Sequence, residues 1–174
     1  GMNHADRDLL LFWAAFAALS AVVLLAPIGV PQGWRVLGLV LVHGLALPVL
    51  AVARGHWELA AIIAFVWPLS AFLILPDWVL SALLGTLVFP DDGAPRLDTI
   101  PLAMAGMWAI PLTASTWVGH RLGPQLGPVG AGVAAAAFIP ASEAVAPLVG
   151  LWAPTEGVTT VGGVALYVLP AEWI

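Results

Sequence analysis

The chain has 174 residues, of which 61% are hydrophobic and only 9% charged, with mean hydropathy +1.02 and a formal net charge of -5. A soluble surface carries roughly a quarter of charged residues, so this composition excludes a water-soluble globular domain and implies an integral membrane protein. Lysine and cysteine are absent, which excludes Schiff-base cofactors, Walker-type phosphate loops, disulfides and thiolate metal sites, and five arginines without a basic stripe exclude nucleic acid as a partner.

At about 20 residues per crossing, the length holds about six or seven membrane segments and leaves nothing for a soluble domain. The predicted fold class is therefore all-α: a polytopic membrane helical bundle over residues 1–174, about six or seven segments, one of them short or half-spanning. The predicted location is a bacterial inner membrane, crossed several times.

Gly1 precedes Met2 and is read as an addition ahead of the natural start. The apolar run from Leu9 to about Ala26 follows Arg7 in the manner of a secretory signal. Asp6 and Asp8 in the same flank, and the further apolar sequence beyond, make it a first span. After a turn at Pro27 to Gly33, a second span is expected from Trp34 to Ala53, closed by Arg54-Gly55-His56. A third runs from Trp57 to Pro76, kinked at Pro68 and ending at Asp77-Trp78.

The run Val79 to Phe89 covers only about 16 Å as a helix, too short for a hydrocarbon core of about 30 Å. It is read as a half-span, a tilted helix, or a continuation of the third span. A polar island comes next, Pro90-Asp91-Asp92-Gly93-Ala94-Pro95-Arg96-Leu97-Asp98-Thr99, with the turn chemistry of Asp-Gly between prolines. Further spans are expected over Leu102 to Val118 and Val129 to Leu151, joined by a glycine-proline connection holding His120 and Arg121. The second of these is alanine-rich, and its small residues allow close helix approach or homo-oligomer contacts. A loop from Trp152 to Gly163 leads to a last span from about Val161, and Ile174 falls within an apolar run, so the chain is expected to continue beyond it. Alternating sides places Arg7, Arg54 and Arg96 together against Arg35 and Arg121, with the N-terminus read as cytoplasmic.

Three carboxylates lie in or against these runs within three residues of a proline: Pro76-Asp77, Pro140-Ala-Ser-Glu143 and Pro170-Ala-Glu172. An ionisable group in hydrocarbon costs about 2.5 kcal/mol or more, and a helix-interior proline frees a backbone carbonyl. Such residues mark candidate sites. Glu143, deep in its run, is read as a carboxylic acid able to deliver a proton at neutral pH, against the alternative that it bonds a carbonyl freed by Pro140 or Pro147. Glu172 carries the same two readings, and Asp77 is either a site member or the N-cap of a helix starting at Trp78.

Asp91, Asp92 and Asp98 are candidates for a polar or cation-linked ligand contact, or else a solvated loop held by Asp-Gly turns and an ion pair to Arg96; no metal site has spacing support. His43, mid-span, is either a ligand donor or a bridge between helices. Among nine tryptophans, Trp34, Trp57, Trp78, Trp117 and Trp152 fit an interfacial belt. Trp67, Trp108 and Trp173 lie nearer the prolines and acids, where aromatic faces stabilise a carbocation; Tyr167 joins them as a candidate lining residue. No cofactor is called for.

The stretch Gly150-Leu-Trp152-Ala-Pro-Thr-Glu156-Gly157-Val-Thr-Thr-Val-Gly162-Gly163-Val164, with Tyr167-Val-Leu-Pro170-Ala-Glu172-Trp173, resembles membrane-embedded carotenoid- and terpene-modifying proteins. Carotenoid hydratases of that kind carry a tryptophan-glycine loop leading into a helix, and small membrane lycopene cyclases carry a Pro-x-Glu-Glu element. Trp173 stands here where the second Glu would be. The resemblance covers about one-eighth of the chain and implies proton-initiated chemistry on an isoprenoid alkene, with Glu172 the residue carried over. The expected function is an integral membrane enzyme performing cyclisation, hydration or isomerisation on an isoprenoid or other lipid through a buried acid. The alternatives are a proton-coupled transporter built on the same broken helices, or a non-catalytic lipid-binding subunit.

Overall fold

A computed structural model describes residues 3–161 and 164–165. Among the described residues, four helical segments are long and apolar enough to cross a bilayer: His4–Leu25, Gln32–Ala53, Trp57–Leu83 and Met104–Val149. They replace the six or seven segments expected from length. Val79–Leu83 extends the third segment, and the residues on either side of the fourth build end loops.

Helix α1 (His4–Leu25) opens with a capping box: the Asn3 side chain accepts from the Asp6 amide at 2.8 Å, and the Asp6 carboxylate accepts from the Asn3 amide at 3.3 Å. Its far end runs into the turn before α2 (Gln32–Ala53), where the last carbonyls of a helix lack intrahelical partners. Arg35 folds back over that turn and donates to the carbonyls of Val23 (3.1 Å), Ala26 (2.8 Å) and Val30 (2.7 Å), and to that of Ile28.

Helix α3 (Trp57–Phe72) stops where Pro76 has no amide hydrogen to offer the Phe72 carbonyl. The chain resumes as α4 (Ile74–Trp78), then as one π-helical turn over Val79–Leu83, closed by the Leu84 amide on the Val79 carbonyl at 2.9 Å. Asp77 therefore sits inside α4, correcting its reading as a cap. Short antiparallel pairs organise the loops at this end of the bundle: β2 (Arg96–Leu97) with β3 (Ile100–Pro101), and β1 (Leu87–Val88) with β4 (Ala153–Pro154), in register Leu87 to Pro154 and Val88 to Ala153. β5 (Thr160–Val161) pairs with β6 (Val164–Ala165), so the expected last span does not start helically at Val161.

Helices α5 (Met104–Met107) and α6 (Ala109–Val145) form the fourth segment. It is a hairpin: Gly123, at φ 77° and ψ 177°, breaks the helix, and residues 124–145 return along residues 109–122. A Cβ built on Gly119 would lie 2.6 Å from the Gly127 carbonyl oxygen and 2.8 Å from Ala131 Cβ, so the limbs touch backbone to backbone. Close packing is a main source of helix association in lipid, where apolar burial supplies no drive. The expected glycine-proline connection over Gly119 to Pro128 is thus mostly helix, with one glycine making the turn.

The hairpin also decides which charges share an end. Arg121 Nε lies 3.1 Å from Asp6, and His120 lies 2.9 Å from Glu58. Asp8, 7% exposed, accepts from Arg54 at 2.9 Å, with His56 at 3.0 Å and Arg7 at 3.3 Å. The Asp8 carboxylate holds the Arg54 guanidinium above its ordinary value through that hydrogen bond and charge attraction. Arg7, Arg54 and Arg121 therefore share one end, with Arg35 and Arg96 at the other. The expected alternation fails because Val79–Leu83 is not a separate crossing, which inverts the parity of every later segment.

Substitutions at these contacts have distinct expected effects. Gly119→Leu forces a side chain into the Gly127 backbone and is expected to destabilise the hairpin by about 1–3 kcal/mol, the usual range for overpacking. Its thermal midpoint in detergent should fall below wild type, whereas Gly132→Leu, which meets nothing within 4 Å, should leave it unchanged. Asp8→Asn should lower the midpoint more than Asp91→Asn, whose carboxylate accepts one long bond, at 3.4 Å from the Gly93 amide.

Candidate functional site

Asp77 and Glu143, far apart in sequence, are brought to the end of the bundle that carries the polar loop, each bonded to a tryptophan of one cavity wall. The break after Phe72 sets α4 inward, leaving Asp77 only 5% exposed. Trp108, at the joint between α5 and α6, donates its indole N–H to Asp77 Oδ2 at 3.0 Å. Glu143 stands near the end of the returning limb of α6, and Trp152 donates to its Oε2 at 2.9 Å.

Local chain geometry brings Trp152 back to Glu143. Pro147 starts a 3-10 turn over Ala146–Val149, and Gly150, at φ 71°, reverses the chain in a left-handed conformation that suits glycine. The Leu151 amide closes on the Ala146 carbonyl at 3.0 Å, and the β1–β4 pair then pins the strand after Trp152. Gln32 adds a tie from α2, donating to the Val149 carbonyl at 2.8 Å.

Glu143, Trp108 and Trp152, with Met104, Met107 and Ile139, line a cavity of about 110 Å³. Asp77 is not in the cavity wall; it reaches it through Trp108. The lining is otherwise apolar except for Ser142, so the site suits an uncharged, hydrocarbon-like group beside one carboxyl and two indole faces. Among the described residues, no group of three or more His, Asp or Glu comes together to hold a metal ion.

The other candidates separate. Glu172, Tyr167 and Trp173 lie outside the described residues. Trp67 packs on Gly44 and Gly106 at the junction of α2, α3 and α5, away from the cavity wall. His43 is 1% exposed and stands edge-on to Phe12 and Phe16, with ring centroids 5.7 and 5.2 Å away. Neither ring nitrogen has a hydrogen-bond partner among the described residues, so the expected bridge between helices is not formed.

The three loop carboxylates share no partner. Asp92 accepts from the Gly33 amide at the start of α2 and from Ala94 at 3.3 Å; Asp98 accepts from Trp78 at 2.8 Å; Asp91 accepts from Gly93. A Cβ on Gly33 would meet the Asp92 carboxylate, which would have to shift to make room. Arg96 makes no ion pair with them and instead binds the carbonyls of Pro90, at 2.7 Å, and Thr99. These residues form a brace for α2 and the loop, not a ligand cluster.

Sequence reasoning missed Trp152 by assigning it to an interfacial belt; it is 7% exposed. The available signal was Pro147 followed by Gly150, a turn able to fold the chain back onto Glu143. Trp117, also assigned to the belt, is 6% exposed and donates to Asp6 at 3.1 Å.

No curated protein and no solved structure matches the chain. Residues 74–174, more than half of the chain and inclusive of Asp77, Trp108, Glu143 and Trp152, match the family described as a domain of unknown function, DUF6989, and the chain belongs to that family.

Proposed function

We propose that this protein is a multi-pass enzyme of a bacterial inner membrane that protonates an alkene of an isoprenoid or other unsaturated lipid, with Glu143 as the acid. The observation that carries the reading is a single carboxyl, held by an indole N–H, in the wall of an otherwise largely apolar cavity. A proton donor placed this way acts on a group that water does not solvate.

In the proposed step the alkene π pair takes the Glu143 proton to form a new C–H bond, leaving a carbocation on the neighbouring carbon and a carboxylate on Glu143. The faces of Trp108 and Trp152 stabilise the cation. Loss of a proton from an adjacent carbon to the Glu143 carboxylate restores the acid and gives an isomerised alkene; where the π pair of a second alkene in the same chain first attacks the cation to form a ring C–C bond, the same loss from the new cation gives a cyclised one. Addition of water, with its surplus proton passing to the same carboxylate, gives a hydrated product. Asp77 is a positioning residue that sets the Trp108 ring through its hydrogen bond. The end bearing Arg7, Arg54 and Arg121 is assigned to the cytoplasm, since it holds more arginines than the end with Arg35 and Arg96.

Membranes containing the protein, incubated in D₂O with their native lipids, should accumulate deuterium at carbon in an unsaturated lipid, read by mass spectrometry. Glu143→Gln should reduce that incorporation by about 100-fold or more, the lower range for loss of a general acid, with an unchanged thermal midpoint. Incorporation at the wild-type rate in Glu143→Gln would remove Glu143 from the role. Trp152→Phe, which keeps the ring but loses the N–H donor to Glu143, should reduce incorporation by a smaller factor.

A further inference from the structure

The cavity at Glu143 shares Ile110, Pro111 and Ser142 with the wall of a second, larger space. This is an apolar groove of about 620 Å³ between α1, which contributes Phe16, Ala17 and Ser20, and the α6 hairpin, which contributes Ala114, Phe138 and Ala141. Trp13 and Phe138 belong in turn to a further stretch of about 490 Å³ that ends beside Asp6 and Arg121. The three spaces share wall residues in series between α1 and the hairpin, and together they mark a track from the charged end of the bundle toward the buried carboxyl. From Arg121 to Ile110 it runs along the first limb for about 17 Å at the helical rise.

We infer that this track binds one linear, unsaturated hydrocarbon chain with a small polar end, seated with that end at the Asp6–Arg121 pair and the chain directed toward Glu143. The inference rests on the proton-transfer reading and names its substrate class and route of entry. Two features favour a chain over a second protein helix. The track narrows at Ile110, Pro111 and Ser142 into a cavity of about 110 Å³, which does not admit a helix about 10–12 Å across. Its outer end also carries Arg121, 3.1 Å from Asp6; Asp6 already accepts from Trp117 and the Asn3 amide, and the remaining guanidinium N–H donors and carboxylate lone pairs suit a hydroxyl that donates and accepts at once. Entry is lateral, from the lipid that bathes the exposed side of α1.

The test uses the purified full chain in lipid bicelles with a linear unsaturated fatty alcohol bearing a diazirine, photolysed and mapped by peptide mass spectrometry. Labels should concentrate on Phe16, Phe138 and Ala141 over the outward face of α2 at Leu41, Leu45 and Val49, which is equally in contact with lipid. Ala141→Trp and Ala17→Trp, on opposite walls, should each reduce groove labelling by about tenfold, the scale of loss from overpacking a site. Leu45→Trp should leave it unchanged, and thermal midpoints confirm that each variant is folded. Equal labelling of both faces, or groove labelling indifferent to both tryptophans, overturns the inference. Glu143→Gln should label like wild type. In the wild-type chain, specific labelling without deuterium transfer refutes the catalytic reading alone, and deuterium transfer without specific labelling refutes the track alone.

Discussion

The hydrogen bond from a tryptophan N–H to a carboxylate is the interaction on which this bundle depends. Among the described residues it occurs four times: Trp78 to Asp98, Trp108 to Asp77, Trp117 to Asp6 and Trp152 to Glu143. A carboxyl inside an apolar bundle needs a donor, and the chain has no lysine and keeps its arginines at the ends. An indole answers that need because its single donor travels with a large apolar body that packs as well as it bonds. Hydrogen bonds to charged groups contribute about 1.5–3 kcal/mol each, comparable with the burial of one large side chain. Each of these bonds also joins separate elements: Trp117 brings the hairpin to the start of α1, and Trp108 brings it to α4.

The second constraint is steric. Gly119 and Gly127 let the two limbs of α6 touch, and Gly44 and Gly106 make room for the Trp67 ring. Gly106 and Trp67 thereby hold α5 against α2 and α3, helped by Ser70, which donates to the Ala105 carbonyl at 2.8 Å. That places Trp108 above Asp77. The hairpin then returns Glu143 to the same region, and the turn at Gly150 sends Trp152 after it. The chemistry proposed for Glu143 thus rests on backbone geometry at a handful of glycines and prolines, none of which touches the cavity except Pro111.

Much of this was legible in the residues. Continuous apolar runs marked the first three helices closely, and the depth of Glu143 and its neighbouring prolines singled it out. Asp77 was ambiguous because a carboxylate at a helix joint serves equally as a cap, and only the inward tilt of α4 after Phe72 separates the two. The tryptophans were misassigned for a related reason. An indole near the end of an apolar run suits an interfacial belt, and nothing local says that Trp117 and Trp152 turn inward. Arg121 was placed at the wrong end because one short run was left open between a half-span and a continuation, and that choice reverses every later segment.

Composition and hydropathy alone determined the apolar solvent, the helical class and the scarcity of charge, because those derive from transfer free energies summed residue by residue. The tertiary structure alone decided that Val79–Leu83 continues the third segment, that the fourth folds back at Gly123, and that Asp77, Trp108, Glu143 and Trp152 gather about one cavity wall. These depend on close approach between residues dozens of positions apart. No periodicity encodes such contacts, since a glycine that permits backbone contact and one that faces open space read the same in the chain.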